Sequence, residues 1–529
     1  MTLISRSKYE TSELQKSNFD YLLKIFENQN YEEVISLYEN ATQAPVTDVA
    51  SLKIIAASYQ KHNRANDELR VLSKVMELDP LEYQAYFNAG VVHLEQQDFK
   101  TAVIYFKTAS ILMPNNADAL TNVGICYKEM GDLAQATQQY KLALNVDPNH
   151  EKASLNLGNI FAKSGDKDSA LKCYLNALKA EPTNLDTQFN LAALFLENGD
   201  VLQAAANFYH LLTSNPTFEK AGLSFQQLCC QIDDTEANEA LASYFENEAV
   251  LKKLSLFRLF HVTNAIDAFK RGDFAHSTKS LEASDGISNQ SFQPVLTGIE
   301  ADQHFCNAYS IFLSSLINEP RDIALKDAPS IFHIGESHCL SFAHRDVSID
   351  GCVHRIQPKL CLGIKAFHLA QSENNKYKSL FNHNFTSIPQ QSNVFISIGE
   401  IDCRPDEGII EASKKTGASI EHLIEETVAG YVEHLHKINC SMGHRISLLN
   451  VPAPVKKAKY TSEQNKVSAE VVEIFNKVLE NHTRDKQFGI INVYSKTLGK
   501  TGMSNGIYHC DDTHLGYKAL EILQNSVEG

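Results

Sequence analysis

NNADALTNVGICYKEMGDLAQATQQYKLALNVDP, residues 115–148, decides how nearly half of this chain folds, because its layout recurs at a fixed interval on both sides. It ends at Pro148, and Pro80, Pro114, Pro182 and Pro216 keep the same spacing of 34 residues. Small residues recur with them at Gly90, Gly124, Gly158 and Ala192, and again at Ala102, Ala136, Ala170 and Ala204, where two helices must approach closely. Aromatic side chains fill the space beside those gaps: Phe106, Tyr140, Tyr174 and Phe208 on the second helix of each unit, and Tyr127, Phe161 and Phe195 on the first. Between the two helices stand Gly131-Asp132, Gly165-Asp166 and Gly199-Asp200. Glycine belongs there because it accepts the positive φ of a helix end that other residues resist.

A 34-residue unit of two helices resembles the tetratricopeptide repeat family. The resemblance covers roughly residues 49–218, with a degenerate unit ending at Pro80 and another near Pro45, so that residues 1–48 are expected to hold N-terminal helices. One helix pair cannot bury its apolar face alone. The resemblance therefore implies an all-α superhelical solenoid whose first helices line a concave groove, with a protein or an extended peptide as partner.

A further position repeats without belonging to the core. Asn88, Asn122, Asn156 and Asn190 each lie two residues before the small packing position, about 200° around the helix from it. They are expected to face the groove. A column of primary amides offers donors and acceptors to the main chain of an extended peptide without reading its side chains. Asparagine is a middling helix former, so propensity does not put it there, although duplicated units also inherit surface residues that do nothing.

The chain has 529 residues, enough for two to four domains. With 48 basic against 64 acidic residues the formal net charge is −16, which removes phosphate attraction and argues against nucleic acid as a partner. The start, Met1 to Asn18, is polar and lacks the apolar core of a secretory signal, and no run of 18 apolar residues occurs. A cytoplasmic location without a membrane span is the expectation. The eleven cysteines are scattered among apolar neighbours, as at Cys229-Cys230, Cys361 and Cys440, and read as reduced thiols, with no pair at zinc-site spacing. His333, His338, His344, His354, His368 and His509 cluster late in the chain, but none shows the i, i+4 pairing with a carboxylate of a metal motif. No metal and no cofactor are expected.

After Pro216 the period fades. Residues 219–320 read as degenerate helical repeats, a cap and a linker: Arg271-Gly272-Asp273-Phe274 echoes the earlier turns, residues 284–303 read as a loop, and a helix at about 304–317 leads to a boundary turn at Asn318-Glu319-Pro320. Beyond it short apolar runs alternate with helical segments. Strands are expected at 330–334, 394–398, 446–451 and 490–494, and helices at 359–371, 420–438, 462–484 and 514–527. Strands spaced by helices pair in parallel, giving a three-layer α/β domain over residues 329–529 with a mostly parallel sheet. Ligands sit at the carboxyl ends of such strands.

Three segments carry chemistry there. The first strand ends in Gly335-Glu336-Ser337-His338 and opens into a helix, which places a hydroxyl beside free N–H groups. A second strand ends in Gly399-Glu400-Ile401-Asp402, and Asp511-Asp512-Thr513-His514 comes near the end of the chain. A carboxylate three residues before a histidine is spaced to orient the imidazole while the imidazole takes a serine proton. Either segment alone also reads as a helix N-cap, through Ser337 in the first and Asp512 or Thr513 in the last.

These blocks, in this order, resemble the SGNH (GDSL-like) hydrolases, whose members cleave or transfer acyl esters on a flavodoxin-like sheet. The resemblance implies Ser337 as nucleophile, His514 as base and Asp511 as its orienting acid. It implies the N–H groups of Ser337 and Gly363, the latter in Leu362-Gly363-Ile364-Lys365, as the oxyanion hole. Two departures stand out. Glu336 replaces the family's aspartate, and in Gly399-Glu400-Ile401-Asp402 an isoleucine takes the place of the asparagine that completes the oxyanion hole. Arg404 is placed to replace that donor or to pair with Asp402 or Glu400, which makes these three supports of the site. An esterase or acyltransferase tethered to a protein-binding solenoid is one reading; a scaffold with a degenerate, non-catalytic domain is the other. Lys456, Lys457 and Lys459, after Pro452-Ala453-Pro454, read as a solvated face or as a seat for an acidic substrate group. A transferase for nucleotide-linked donors finds no glycine-rich phosphate loop.

Overall fold

The computed structural model describes residues 13–40, 46, 48–232, 234–254, 257–287, 299–319, 328–349, 351–511 and 513–527. The expected repeat boundary at Pro45, most of the expected loop at 284–303, Pro320 of the boundary turn, Asp512 and the first twelve residues lie outside them. The chain is mostly helical, and it divides into two compact units, residues 1–191 and 192–529.

In the first unit the helices come in pairs: Glu13–Glu27 with Tyr31–Glu39, Val49–Lys61 with Ala65–Leu78, Tyr83–Glu95 with Phe99–Leu112, Ala117–Glu129 with Leu133–Val146, and Glu151–Ser164 with Lys167–Ala180. The small position of each unit is a necessity of packing. A Cβ on Gly90, Gly124 or Gly158 would lie 2.8, 2.6 or 2.7 Å from the ring of Phe106, Tyr140 or Tyr174 respectively, and these rings are themselves buried. The turn glycines serve backbone geometry instead: Gly131 and Gly165 have φ of +83°, with nothing within 4 Å of where a side chain would start. Asp98, Asp132 and Asp166 follow these turns and accept the N–H of Thr101, Gln135 and Ser169 at 3.3, 3.0 and 3.1 Å, capping the second helices.

The backbone carries the period further than the side chains do. Positive φ recurs at Gln29, Asn63, Gln97, Gly131, Gly165 and Gly199, a spacing of 34 throughout. In the first three the turn is made without glycine. The same turn geometry therefore recurs in both helix pairs ahead of Tyr83, including the pair within residues 1–48.

In the second unit, helices Val201–Ser214, Glu219–Cys229, Thr235–Phe245, Glu248–Leu254, Arg258–Lys270, Phe274–Asp285 and Ile299–Asn318 precede a six-stranded mixed sheet. The Arg271-Gly272-Asp273 turn uses the earlier device, with Gly272 at φ +81° and Asp273 accepting the N–H of His276 at 3.0 Å. The strands are β1 Ser330–Gly335, β2 Asp346–Ile349, β3 Cys352–Leu360, β4 Asn393–Ser397, β5 Arg445–Leu449 and β6 Gly489–Ile491, in spatial order β2-β3-β1-β4-β5-β6. All neighbours pair in parallel except β2 with β3.

Alternation splits the strand side chains between two cores. Ile334, Val394, Ile396, Ile446 and Leu448 pack with helices Lys376–Thr386, Ile420–Met442 and Ser462–Asp485. On the other face Ile331, Ile356, Phe395, Leu449 and Ile491 pack with Leu515, Ile522 and Leu523, the last two on helix Leu520–Val527. Three sequence expectations change. Residues 359 and 360 end β3 rather than start a helix, which spans only Ala366–Ala370; the last helix begins at Leu520, not at His514; and Val493-Tyr494 open a short helix, Val493–Thr497, instead of ending a strand.

Polar bonds, most of them buried or partly buried, join the helices that precede the sheet to the segments that follow β1. Gln231 accepts the N–H of Leu362 at 2.9 Å through its side chain, and its carbonyl accepts from the fully buried Asn384 at 2.9 Å. His344 bonds to the Lys270 carbonyl at 2.9 Å, and Lys376 pairs with Glu197 at 2.6 Å.

Candidate active site

Strand β1 delivers Ser337 to the carboxyl edge of the sheet. Gly335 is required just before it, since a Cβ there would come within 2.6 Å of the Ser397 carbonyl of the adjacent β4. Ser337 precedes the short helix His338–Ser341, but its side chain makes no capping bond. Its Oγ lies 2.9 Å from Nε2 of His514, a residue 177 positions away. Asp511 Oδ2 lies 2.6 Å from His514 Nδ1, and Asp511 Oδ1 accepts the N–H of Thr513 and of His514 at 2.7 and 2.6 Å. The Asp511–His514 turn thus holds its own geometry.

Burial works to raise the Asp511 pKa, but hydrogen bonds and charge from His514, with the two N–H groups, outweigh it and hold the carboxyl at about 2. An ionised carboxylate only accepts, so His514 carries a proton on Nδ1, which in a neutral ring leaves Nε2 as the acceptor facing the serine hydroxyl. Ser337 is 2% exposed and His514 8%. Neither Ser337 nor Thr513 acts as the cap the sequence also allowed, for Thr513 accepts instead from Lys457 Nζ at 2.6 Å and the last helix starts later.

Two neighbours, Tyr309 and Phe312, were not legible as site residues in the sequence, and Glu336 was legible only as a departure from the family pattern. Glu336 Oε2 contacts both the N–H and the hydroxyl of Ser337, and Oε1 accepts from the buried Tyr309 at 3.0 Å. Burial and then Glu336 push the Tyr309 phenol well above its ordinary range, which keeps it a donor. Phe312, one turn further along helix Ile299–Asn318, stacks on the His514 ring with centroids 3.8 Å apart and planes 17° apart. The Tyr309 and Phe312 spacing on one helix face was the available signal, but any core helix shows it.

The loop with Gly363 is pinned from both sides. Leu362 is held by Gln231, and the fully buried Asp402 accepts the N–H of Ala366 at 2.8 Å and of Phe367 at 3.1 Å. Burial raises the Asp402 carboxyl to about 6 against the pull of those two N–H groups. Gly363 itself has φ +68°, a conformation few other residues adopt. Arg404 takes Glu400 as its partner, with Nη2–Oε2 at 2.7 Å, and reaches Glu407 at 3.3 Å. Burial opposes ionisation of Glu400, but Arg404 brings the carboxyl down to about 2.

A pocket opens at the strand ends. Its wall includes Glu336, His338, Ile364, Ser397, Glu400, Ile401, Asn450 and Leu515, and the isoleucine at the position of the family amide is therefore part of it. A second pocket shares Glu400, Val451 and Pro452 and continues to Arg404, Lys457, Tyr460 and His509. His333, beneath β4, bonds to Ser397 Oγ at 2.9 Å; burial lowers its pKa to about 3 and keeps it neutral. Among the described residues no group of three or more His, Cys, Asp or Glu is placed to hold a metal ion.

In the first unit, Asn88 and Asn122 are partly exposed and make no side-chain hydrogen bond among the described residues. Asn156 donates to the Lys152 carbonyl at 2.9 Å, and Asn190 donates to Asn159 at 2.9 Å, where Tyr174 also donates. The column is therefore free in its first half and engaged in its second.

Comparison with known proteins places tetratricopeptide repeats in the chain: a family model described as tetratricopeptide repeat matches residues 93–155, and one described as TPR repeat matches residues 158–199. These segments are repeats of the kind that build protein-interaction scaffolds. No curated protein matches the chain. Similar solved structures include the crystal structure of MamA, 24% identical over 30% of this chain and 93% of that one, with a TM-score of 0.29. PilF of Pseudomonas aeruginosa is 17% identical over 44% of this chain and 98% of that one, TM-score 0.35. YrrB, described as a TPR protein with an unusual peptide-binding site, is 20% identical over 36% and 93%, TM-score 0.28. Among the described residues no helix is long and apolar enough to cross a membrane.

Proposed function

We propose that residues 329–529 form an SGNH-type domain that hydrolyses or transfers an acyl ester, and that the tetratricopeptide repeats present a protein or peptide to the chain. The observation that carries the first part is the Asp511–His514–Ser337 relay, with links of 2.6 and 2.9 Å. The sheet order supports it. With β2 set aside, the strands run in the order of a flavodoxin-like doubly wound sheet, and Ser337 stands at a strand's carboxyl end.

In this reading the Ser337 oxygen attacks the acyl carbon while its proton passes to His514 Nε2. The carbonyl electron pair moves onto oxygen, facing the N–H groups of Ser337 and Gly363. Collapse expels the alcohol, which takes the proton from His514, and water or a second hydroxyl then accepts the acyl group by the same steps in reverse. Asp511 holds the imidazole in the tautomer that this requires. Glu336 must leave the Ser337 N–H for the oxyanion to reach it.

Labelling with a fluorophosphonate and turnover of 4-nitrophenyl acetate test this reading. Ser337→Ala is expected to lose the label and at least about a thousandfold in rate. Equal signal from variant and parent removes the hydrolase.

A second reading, a non-catalytic binding domain, is favoured by the burial of Ser337 and His514 under Phe312 and by Ile401. It predicts no label on the parent protein.

For the repeats, the accessible amides of Asn88 and Asn122 support capture of an extended main chain. Replacing all four column asparagines with alanine should abolish binding of an unstructured peptide with helicity unchanged.

A further inference from the structure

We infer that the imidazole of His338 is the oxyanion donor that Ile401 does not supply, binding through a ring N–H the oxygen of the acyl group that Ser337 attacks. The inference rests on the hydrolase reading and deepens it at one residue. His338 follows the nucleophile directly and is among the residues that line a pocket with Ile401, Ile364 and Glu400. It is 5% exposed, and its Nε2 is buried without a hydrogen-bond partner. A buried polar nitrogen left unpaired is a cost to the resting fold, and a ligand that takes up its hydrogen bond relieves it.

Its state suits a donor. The His338 and His514 rings lie 5.5 Å apart, and burial followed by the proximity of His514 lowers the His338 pKa. A neutral imidazole carries one N–H, which polarises a carbonyl without entering the proton balance. The proton taken from Ser337 resides on His514 and returns to the leaving alcohol, while the His338 proton stays on its ring. A fixed dipole facing developing charge needs no rearrangement during reaction. Ile364, Ile398, Ile401, Leu449 and Val451 give the pocket an apolar stretch of wall that suits the hydrocarbon part of an acyl group, beside the polar Glu336, Ser397, Glu400 and Asn450.

Three substitutions test this against 4-nitrophenyl acetate, with Ser337→Ala alongside. His338→Leu keeps bulk and removes the donor, and is expected to lower kcat about 10²- to 10³-fold with KM nearly unchanged. His338→Gln restores an N–H and should recover most of that loss, as should Ile401→Asn placed in the His338→Leu protein. Thermal midpoints identify any variant that has lost its fold, and if His338→Leu has, His338→Phe takes its place as the variant that removes the donor. If Ser337→Ala is silent while His338→Leu stays within a few-fold of the parent, His338 is not the donor and the hydrolase stands. A loss that neither amide restores assigns His338 a structural role and overturns the inference. If Ser337→Ala equals the parent, the hydrolase reading falls and takes this inference with it.

Discussion

Asp511 and Glu400 are two carboxylates whose charge the fold protects. Each has a folded pKa depressed to about 2, from ordinary values of 3.8 and 4.5. A depressed carboxylate contributes stability that is fully present above its unfolded pKa and is lost as pH falls through the folded one. The window is therefore about pH 4.5 down to 2. Across it, urea unfolding of the parent should weaken, with Glu400 responsible for about 3 kcal/mol. Glu400→Gln is expected to flatten that part of the curve; a variant as steep as the parent would exclude this origin. Asp402 has the opposite sign. Its raised pKa of about 6 means that its ionisation costs stability as pH rises from about 4 through 6. At this scale the sequence was legible where spacing encodes chemistry, as in Asp511 and His514. It was silent where a contact comes from a distant helix, and nothing around Tyr309 or Phe312 distinguishes them from ordinary core residues. Arg404 shows the middle case, since its partners were confined to two carboxylates and only folding chose Glu400.

At the scale of elements, the repeat period could be read wherever residue type and backbone geometry agree. Gly131 and Gly165 announce their turns because no other residue adopts φ near +83° as easily. Gln29, Asn63 and Gln97 make the same turn at a steric cost of about 1 kcal/mol each, so side-chain reading misses them. Gln97→Gly should accordingly raise the stability of the first unit by up to about 1 kcal/mol. Gly124→Ala should lower it by about 1 to 3 kcal/mol, because the added Cβ meets a fully buried Tyr140 ring that has nowhere to go. Denaturant midpoints of the two variants check both signs; a neutral Gly124→Ala would show that the ring can yield. Strand β3 escaped notice for a related reason. Cys352 to Leu360 mixes His354, Arg355, Pro358 and Lys359 among its apolar residues, which hides the alternation of a half-buried strand, and Pro358 argues against any interior strand. It is tolerated because β2 pairs only with residues 352–355 of β3, leaving the outer edge at Pro358 outside that ladder.

At the scale of the molecule, residues 192–529 are compact as a whole, and the sheet does not carry its own boundary at the point where strands begin. The composition shift near residue 320 was visible, because strand grammar replaces helical periodicity there. The bonds that cross it were not, since Gln231, Lys270 and Glu197 look like ordinary helix-surface residues. A chain cut to residues 329–529 loses Tyr309, Phe312 and the Gln231 acceptor together. It is expected to aggregate or to unfold without cooperativity, whereas residues 192–529 should melt in one transition by calorimetry. A well-folded 329–529 fragment with the parent's fluorophosphonate reactivity would contradict that expectation.

Gln231 is 131 positions ahead of the backbone N–H that it receives. On the ribosome it therefore emerges well before Leu362, so the acceptor for the loop that follows β3 is synthesised before the donor that will need it.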